Sequence, residues 1–171
     1  MSKFATVSVL TFLAVALAGC GGGAKAPTTT TTGGAAKDPA TSFSVANVSG
    51  VGNVVVDGKG RTVYVLTSAG KQNVPCTDAS GCTDVWPDLA LPDGTSAATV
   101  GGGLHASLLG TELADGETYP TYNGYLLYEY SGDSGPGKAR GEGLMSYGGT
   151  WYVLSPAGMP VRSYSDSHGG Y

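Results

Sequence analysis

The stretch TYPTYNGYLLYEYS, residues 118–131, decides the fold. Thr118–Tyr122 and Tyr125–Ser131 are rich in β-branched and aromatic residues, which suit a pleated, half-buried strand. Asn123-Gly124 between them is a two-residue turn signal, because both residues tolerate positive φ. The segment reads as a β-hairpin. The same grammar recurs on the N-terminal side, where Val54-Val55-Val56, the turn Asp57-Gly58-Lys59-Gly60 and the run Arg61–Thr67 read as a second hairpin. On the C-terminal side, Trp151–Leu154 and Met159–Arg162 flank Ser155-Pro156-Ala157-Gly158 as a third strand-turn-strand. Ala106–Leu109 suits one short helical turn, and nothing else sustains a 3.6-residue period.

The first two hairpins overlay. Gly60-Arg61-Thr62-Val63-Tyr64 aligns with Gly124-Tyr125-Leu126-Leu127-Tyr128 at an offset of 64, and Trp86 aligns with Trp151 at an offset of 65. Each unit runs turn, strand with Tyr, Gly/Ser-rich loop, Trp. This is an internal duplication of about 65 residues. One unit has too few strands to cover a hydrophobic face, whereas two packed together can share one core. The expected fold is all-β: two pseudo-repeats of short antiparallel strands packed as a sandwich or small barrel.

Composition agrees. Gly supplies 29 of 171 residues, which argues against a helical bundle because each interior Gly costs a helix about 1 kcal/mol. There is no Gly at every third position, so collagen is excluded. With 41% hydrophobic residues and a net charge of −4, the chain is not disordered throughout. Nine Lys+Arg against 13 Asp+Glu leave no basic surplus for a nucleic-acid partner.

The N-terminus carries an address. Lys3 precedes a small and apolar run, Phe4 to Ala18, which is short of the ~20 residues that span a bilayer and suits a signal-peptide core. It ends in Leu17-Ala18-Gly19-Cys20, which resembles the bacterial lipobox. That resemblance implies cleavage before Cys20, a thioether-linked diacylglycerol on its sulfur and acylation, palmitate included, of the new amine. Several acyl chains at about 0.8 kcal/mol per buried CH₂ hold a soluble domain at a membrane without a spanning helix. Gly21 to about Ser42 has no large apolar residue and reads as a disordered linker. The expected organisation is a signal peptide over 1–19, lipidated Cys and linker over 20–42, a duplicated domain over 43–165 (repeats at about 50–93 and 112–160), and a tail over 166–171. With Cys20 taken by lipid, Cys76 and Cys82 remain as an even pair in an exported chain, which reads as a disulfide. A reactive or metal-binding pair stays as the alternative.

The halves resemble the bacterial secreted-repeat lipoproteins, marked by a Tyr-x-aromatic-x-x-Asp motif. The second half carries it intact as Tyr128-Glu129-Tyr130-Ser131-Gly132-Asp133. Around it stand Leu109-Gly110-Thr111, Asp115-Gly116, Tyr122-Asn123-Gly124, Gly135-Pro136-Gly137, Gly141-Glu142-Gly143 and Trp151-Tyr152-Val153. The first half keeps Asp57-x-x-Gly60-Arg61-Thr62-x-Tyr64, Cys76, Cys82 and Trp86-Pro87. It has Leu66 in place of the aromatic and Ala69 in place of the Asp. The second half has Tyr125 and Leu126 where many relatives have His and Pro. The resemblance covers about residues 50–160 and implies an address and an architecture rather than an activity.

Nine of the ten tyrosines lie at 119 or later. On a strand Tyr128 and Tyr130 share a face and Glu129 takes the other. If Asp133 turns back at the strand end, its carboxylate meets a phenol. Tyr128, Tyr130 and Asp133, with Trp151, Tyr64 and Trp86, then form an aromatic wall with one acidic handle, suited to a glycan, a cation or another small ligand. Tyrosine is equally at home as a packing residue whose hydroxyl stays wet. Other motifs carry less. Gly132-Asp133-Ser134-Gly135 resembles the serine-protease nucleophile segment but has no oriented His base, and the reading is rejected. Asp78, Ser80 and Asp84 lack the EF-hand pattern. Residues 135–141 lack phosphate-loop spacing, and His105 and His168 have no partner ligands. No cofactor or metal is implied.

The expectation is therefore a lipid-anchored extracytoplasmic protein at the outer face of the cell membrane, or in the periplasm or outer membrane of a two-membrane host. It acts as a non-enzymatic module that binds or scaffolds, with an envelope glycan, small molecule or protein as partner. The alternative is a small-ligand, metal or redox carrier using the Tyr/Asp-lined site. Oligomeric state is not readable from the sequence.

Overall fold

In a computed structural model, the described residues are 38–69, 74 and 76–162. In chain order the strands are β1 (Ser42–Val48), β2 (Gly52–Val56), β3 (Tyr64–Thr67), β4 (Thr99–Val100), β5 (Leu109–Ala114), β6 (Glu117–Tyr122), β7 (Tyr125–Leu126), β8 (Met145–Ser146) and β9 (Gly149–Val153). One helical turn, α1 (Cys82–Val85), and short 3₁₀ turns at Pro39–Thr41, Asp78–Ser80 and Ala106–Leu108 complete the list. The last of these is the helical turn expected near Ala106.

Three small sheets form, ordered β2-β1-β4, β3-β9-β8 and β5-β6-β7. Pairing is antiparallel except for the two-residue parallel contact of β1 with β4. The sheets do not close into a barrel; the arrangement is sandwich-like. Asn123 and Gly124 both have positive φ, at 52° and 77°, and they join β6 to β7 as the turn chemistry requires. The strand after that turn is shorter than expected, because beyond Leu126 the chain leaves β6 for the other half of the molecule.

The hairpin expected over residues 54–67 is corrected in the same way. Asp57 Oδ1 accepts from the backbone N–H groups of Lys59 (2.9 Å) and Arg61 (2.8 Å) and shapes the turn. Pairing reaches only the Val56–Thr62 bridge and the bond from Val63 N–H to the Val55 carbonyl. β2 then stays with β1, while β3 crosses to β9. Local pattern specifies the turn; a stronger partner in the other repeat captures the strand. Structure is also present before the expected boundary. Asp38 caps the turn at Pro39–Thr41 through its side chain, and Ala40 is buried in the core, so the segment up to Ser42 is not all linker. Cys20 and the residues expected to form the signal segment, the remaining linker and the tail lie outside the described residues.

Alternation along β2 and β3 explains two cores. Val55, Val63 and Val65 pack with Phe43, Leu89, Tyr122, Leu127 and Leu154. Val54, Val56, Tyr64 and Leu66 face the opposite way, onto Trp86, Tyr128, Trp151 and Val153. Strands with both faces covered read as continuous apolar runs rather than alternating ones, which is why 54–56 is Val-Val-Val.

The duplication is visible as reciprocal pairing. Tyr64 pairs with Val153 on β9. Its equivalent Tyr128 bridges Asp88, the equivalent of Val153. Around that bridge, Glu129 N–H donates to the Pro87 carbonyl and Ser131 N–H to that of Val85. At the centre Tyr64 and Tyr128 bridge each other, with backbone bonds of 2.8 and 3.0 Å. A residue faces its own equivalent only at a two-fold relation. The two repeats thus embrace around an approximate internal dyad.

Candidate functional site

The six residues singled out from the sequence meet at this dyad. Trp86 and Trp151, the equivalent tryptophans, stack with centroids 3.8 Å apart and planes 4° from parallel. Tyr130 stacks on Trp86 at 4.4 Å and 28°. Tyr64 meets the edge of Trp86 at 5.5 Å, and Tyr128 that of Trp151 at 5.2 Å. Tyr128 and Tyr130 do share this face, while Glu129 points away to Asp57 and Arg61. The cluster is interior: Tyr64, Trp86, Trp151 and Tyr128 are buried, and Tyr130 is half-buried. Both tryptophans sit where two repeats close on each other, so the rings face one another instead of solvent.

Asp133 does turn back at the strand end, its N–H donating to the Tyr130 carbonyl. The phenol it meets belongs to the other repeat. Tyr64 Oη donates to Asp133 Oδ2 at 2.7 Å, in a pair separated by 69 positions. Asp133 Oδ1 accepts from Arg140 N–H at 2.9 Å, and Gly141 N–H donates to Tyr64 Oη at 3.2 Å. Asp133 is 5% exposed, and both carboxylate oxygens are engaged by protein. Burial, and then the hydrogen bond to Asp133, push the Tyr64 phenol far above its ordinary range. Burial, followed by the charges of Asp88 and Glu112, pushes Tyr128 up to about 12.

A second polar cluster was given no role by the sequence. Arg61 Nε pairs with Glu129 Oε2 at 2.7 Å, and its Nη2 donates to the Asp133 carbonyl at 3.1 Å. Glu129 also abuts Asp57, which is 2% exposed. Burial, a hydrogen bond to Asp57 and the Asp57 charge raise Glu129 to about 7, opposed by Arg61 and Lys59. The signal was present as Asp57-x-x-Gly60-Arg61, but nothing in it points to Glu129. Glu142, inside Gly141-Glu142-Gly143, accepts from Val153 N–H at 2.7 Å. Cys76 and Cys82 form a disulfide, with Cys82 packed beside Trp86 and Trp151. Asp78 accepts a hydrogen bond from the Thr83 hydroxyl. Among the described residues no three His, Cys, Asp or Glu side chains are grouped as metal ligands, and no helix is long and apolar enough to cross a membrane.

Residues 111–155 match a protein-family model described as a secreted repeat of unknown function. The matched stretch contains β6, the Tyr128–Asp133 motif and β9. It agrees with the resemblance drawn from the motif and fits an extracytoplasmic module. No curated protein and no solved structure matches the chain.

Proposed function

We propose that this protein is a lipoprotein anchored through Cys20, whose β domain serves outside the cytoplasm as a non-enzymatic binding or scaffolding module. The observation that carries the reading is the engagement of both Asp133 oxygens. The motif joins one repeat to the other and offers no free acid or base to a substrate. A ligand taken up by the Tyr/Asp cluster would have to open that joint. Partner contact then falls to the outer surface, where Thr67, Ala69, Met145, Tyr152 and Arg162 line an open groove of about 400 Å³. Arg162 lies over the Tyr152 ring at 5.8 Å, a surface suited to a glycan or a peptide of the envelope.

Two measurements test the parts separately. Cys20→Ser releases the protein from the membrane fraction if the lipid is the anchor; a variant that still sediments with membranes rules the anchor out. Asp133→Ala and Tyr130→Ala both lower the unfolding midpoint if the motif is a joint. Loss of a small-molecule or metal ligand from a variant that keeps its midpoint would favour the carrier reading instead.

A further inference from the structure

Three features of the buried cluster bear on electron transfer as well as on packing. First, Trp86 and Trp151 lie 3.8 Å apart and 4° from parallel, a stack that aromatic packing favours when offset and that also spreads a positive hole over two rings. Second, Tyr64 pairs its phenol with a buried carboxylate at 2.7 Å. Oxidising a phenol by one electron makes it a strong acid, so a base already in contact lets the electron and the proton leave together. Third, Trp86 Nε1 is buried and has no acceptor among the described residues, while Trp151 Nε1 donates to the Ser146 hydroxyl at 3.0 Å, a poor base. An oxidised indole here has nowhere to put its proton, so the hole is not trapped on tryptophan.

We propose that these rings form a one-electron relay: Tyr130 is the port, the Trp86–Trp151 stack the carrier and Tyr64, with Asp133 as proton acceptor, the terminus. Tyr130 is the half-buried member of the five rings and stacks on Trp86 at 4.4 Å; Trp86 contacts Tyr64 at 5.5 Å. The reacting partner is an outer-sphere one-electron oxidant of high potential, such as a metal complex, met at the Tyr130 surface. The oxidant gains one electron. The Tyr64 O–H bond breaks, its proton passes to Asp133 Oδ2, and the products are a neutral Tyr64 phenoxyl radical, a neutral Asp133 acid and the reduced oxidant. Gly141 N–H, donating to Tyr64 Oη, holds the oxygen in place through the change. The asymmetry between repeats assigns the terminus. Tyr128 occupies the equivalent position, but Ala69 stands where its Asp would be, so the hole has one resting place and not two.

The test uses the full chain in mild detergent, with ruthenium(III) tris-bipyridine generated by a light flash as the oxidant. Transient absorption follows indole and phenoxyl radicals, and the folded state of each variant is checked by near-ultraviolet circular dichroism. In the wild-type protein an indole radical forms first and decays into a long-lived phenoxyl radical, more slowly in deuterated water. Tyr64→Phe keeps the ring and loses the phenoxyl that grows from the indole signal. Asp133→Asn slows that step on the order of a hundredfold, the usual worth of a positioned base. If Asp133→Asn does not fold, Tyr64→Phe decides alone. The same phenoxyl yield and lifetime in Tyr64→Phe as in wild type would place the radical on surface tyrosines and overturn the relay, as would the absence of any indole intermediate.

Discussion

Asp133 is buried and Glu129, four positions before it, is half-buried, for opposite reasons. Asp133 accepts hydrogen bonds from two other segments, through Tyr64 Oη and Arg140 N–H. Hydrogen bonds to charged groups are worth about 1.5–3 kcal/mol, and removing one partner leaves the other unsatisfied. Tyr64→Phe is therefore expected to cost about 2 kcal/mol in urea unfolding, and Asp133→Ala more, because it strands both the phenol and Arg140 N–H. Glu129 instead lies half-buried against the side chain of Asp57, with a hydrogen bond between them. Its folded value of about 7 lies above the ordinary 4.5, so the folded state binds its proton more tightly. The contribution is fully present below pH 4.5 and is lost as pH rises through about 7. Glu129→Gln keeps a donor toward Asp57 at every pH. Its stability relative to wild type should rise between pH 5 and pH 8; two unfolding-midpoint curves that stay parallel across that range would show that Glu129 does not titrate in this way. The turn of Asp133 toward a phenol was legible in the sequence; which phenol it meets, and the role of Glu129, were not. Tyrosines and tryptophans at these positions read equally as an open wall or a packed interior, and the partner that settles the matter, Tyr64, is 69 positions from Asp133.

Turns carry the part of the fold that sequence does specify. Asn123-Gly124 and Asp57-Gly58-Lys59-Gly60 both form as their chemistry demands, because the information is local: positive φ at one, an Asp side chain gathering backbone N–H groups at the other. Strand partners are not local. Nothing in Arg61–Thr67 distinguishes pairing with its hairpin neighbour from pairing with β9, so the turn forms as its residues dictate while the strand beyond it pairs elsewhere. The loop after Asp133 shows how tightly an element can be fixed without regular structure. A Cβ on Gly141 would lie 2.8 Å from Trp86 Cη2 and 2.9 Å from Tyr64 Cε1, so the rings close over bare backbone. Gly141→Ala is expected to cost about 1–3 kcal/mol by overpacking and to change the near-ultraviolet signal of the stacked indoles. Ala at Gly143, where no atom lies within 4 Å of an added Cβ and φ is +75°, should leave that signal intact. The Cys76–Cys82 ring packs into the same core. Closing so short a loop is worth about 2 kcal/mol, and reduction should lower the unfolding free energy by that amount.

Reciprocal exchange makes the molecule one cooperative unit even though its sequence is two repeats. β3 of the first repeat completes the sheet of β9, and the Tyr128 segment of the second repeat lies against residues 85–88 of the first. Neither repeat keeps its own tryptophan covered: Trp86 needs Tyr130 and Trp151, and Trp151 needs Trp86 and Leu66. A unit of this size that cannot bury its apolar face has little margin, since small domains bury the smallest fraction of their surface. Cutting the exposed Gly101–Gly103 connection should therefore give fragments 38–102 and 103–162 that lack the indole circular-dichroism band when separate. Mixed in equal amounts they should regain it and melt in a single transition, because every contact that orders the rings is present again apart from one peptide bond. The concentration dependence of that melt measures the embrace directly, as association links stability to fragment concentration. A 103–162 fragment that folds alone with the native band would show that exchange is a decoration on a self-sufficient repeat and that the dyad does not hold the core together.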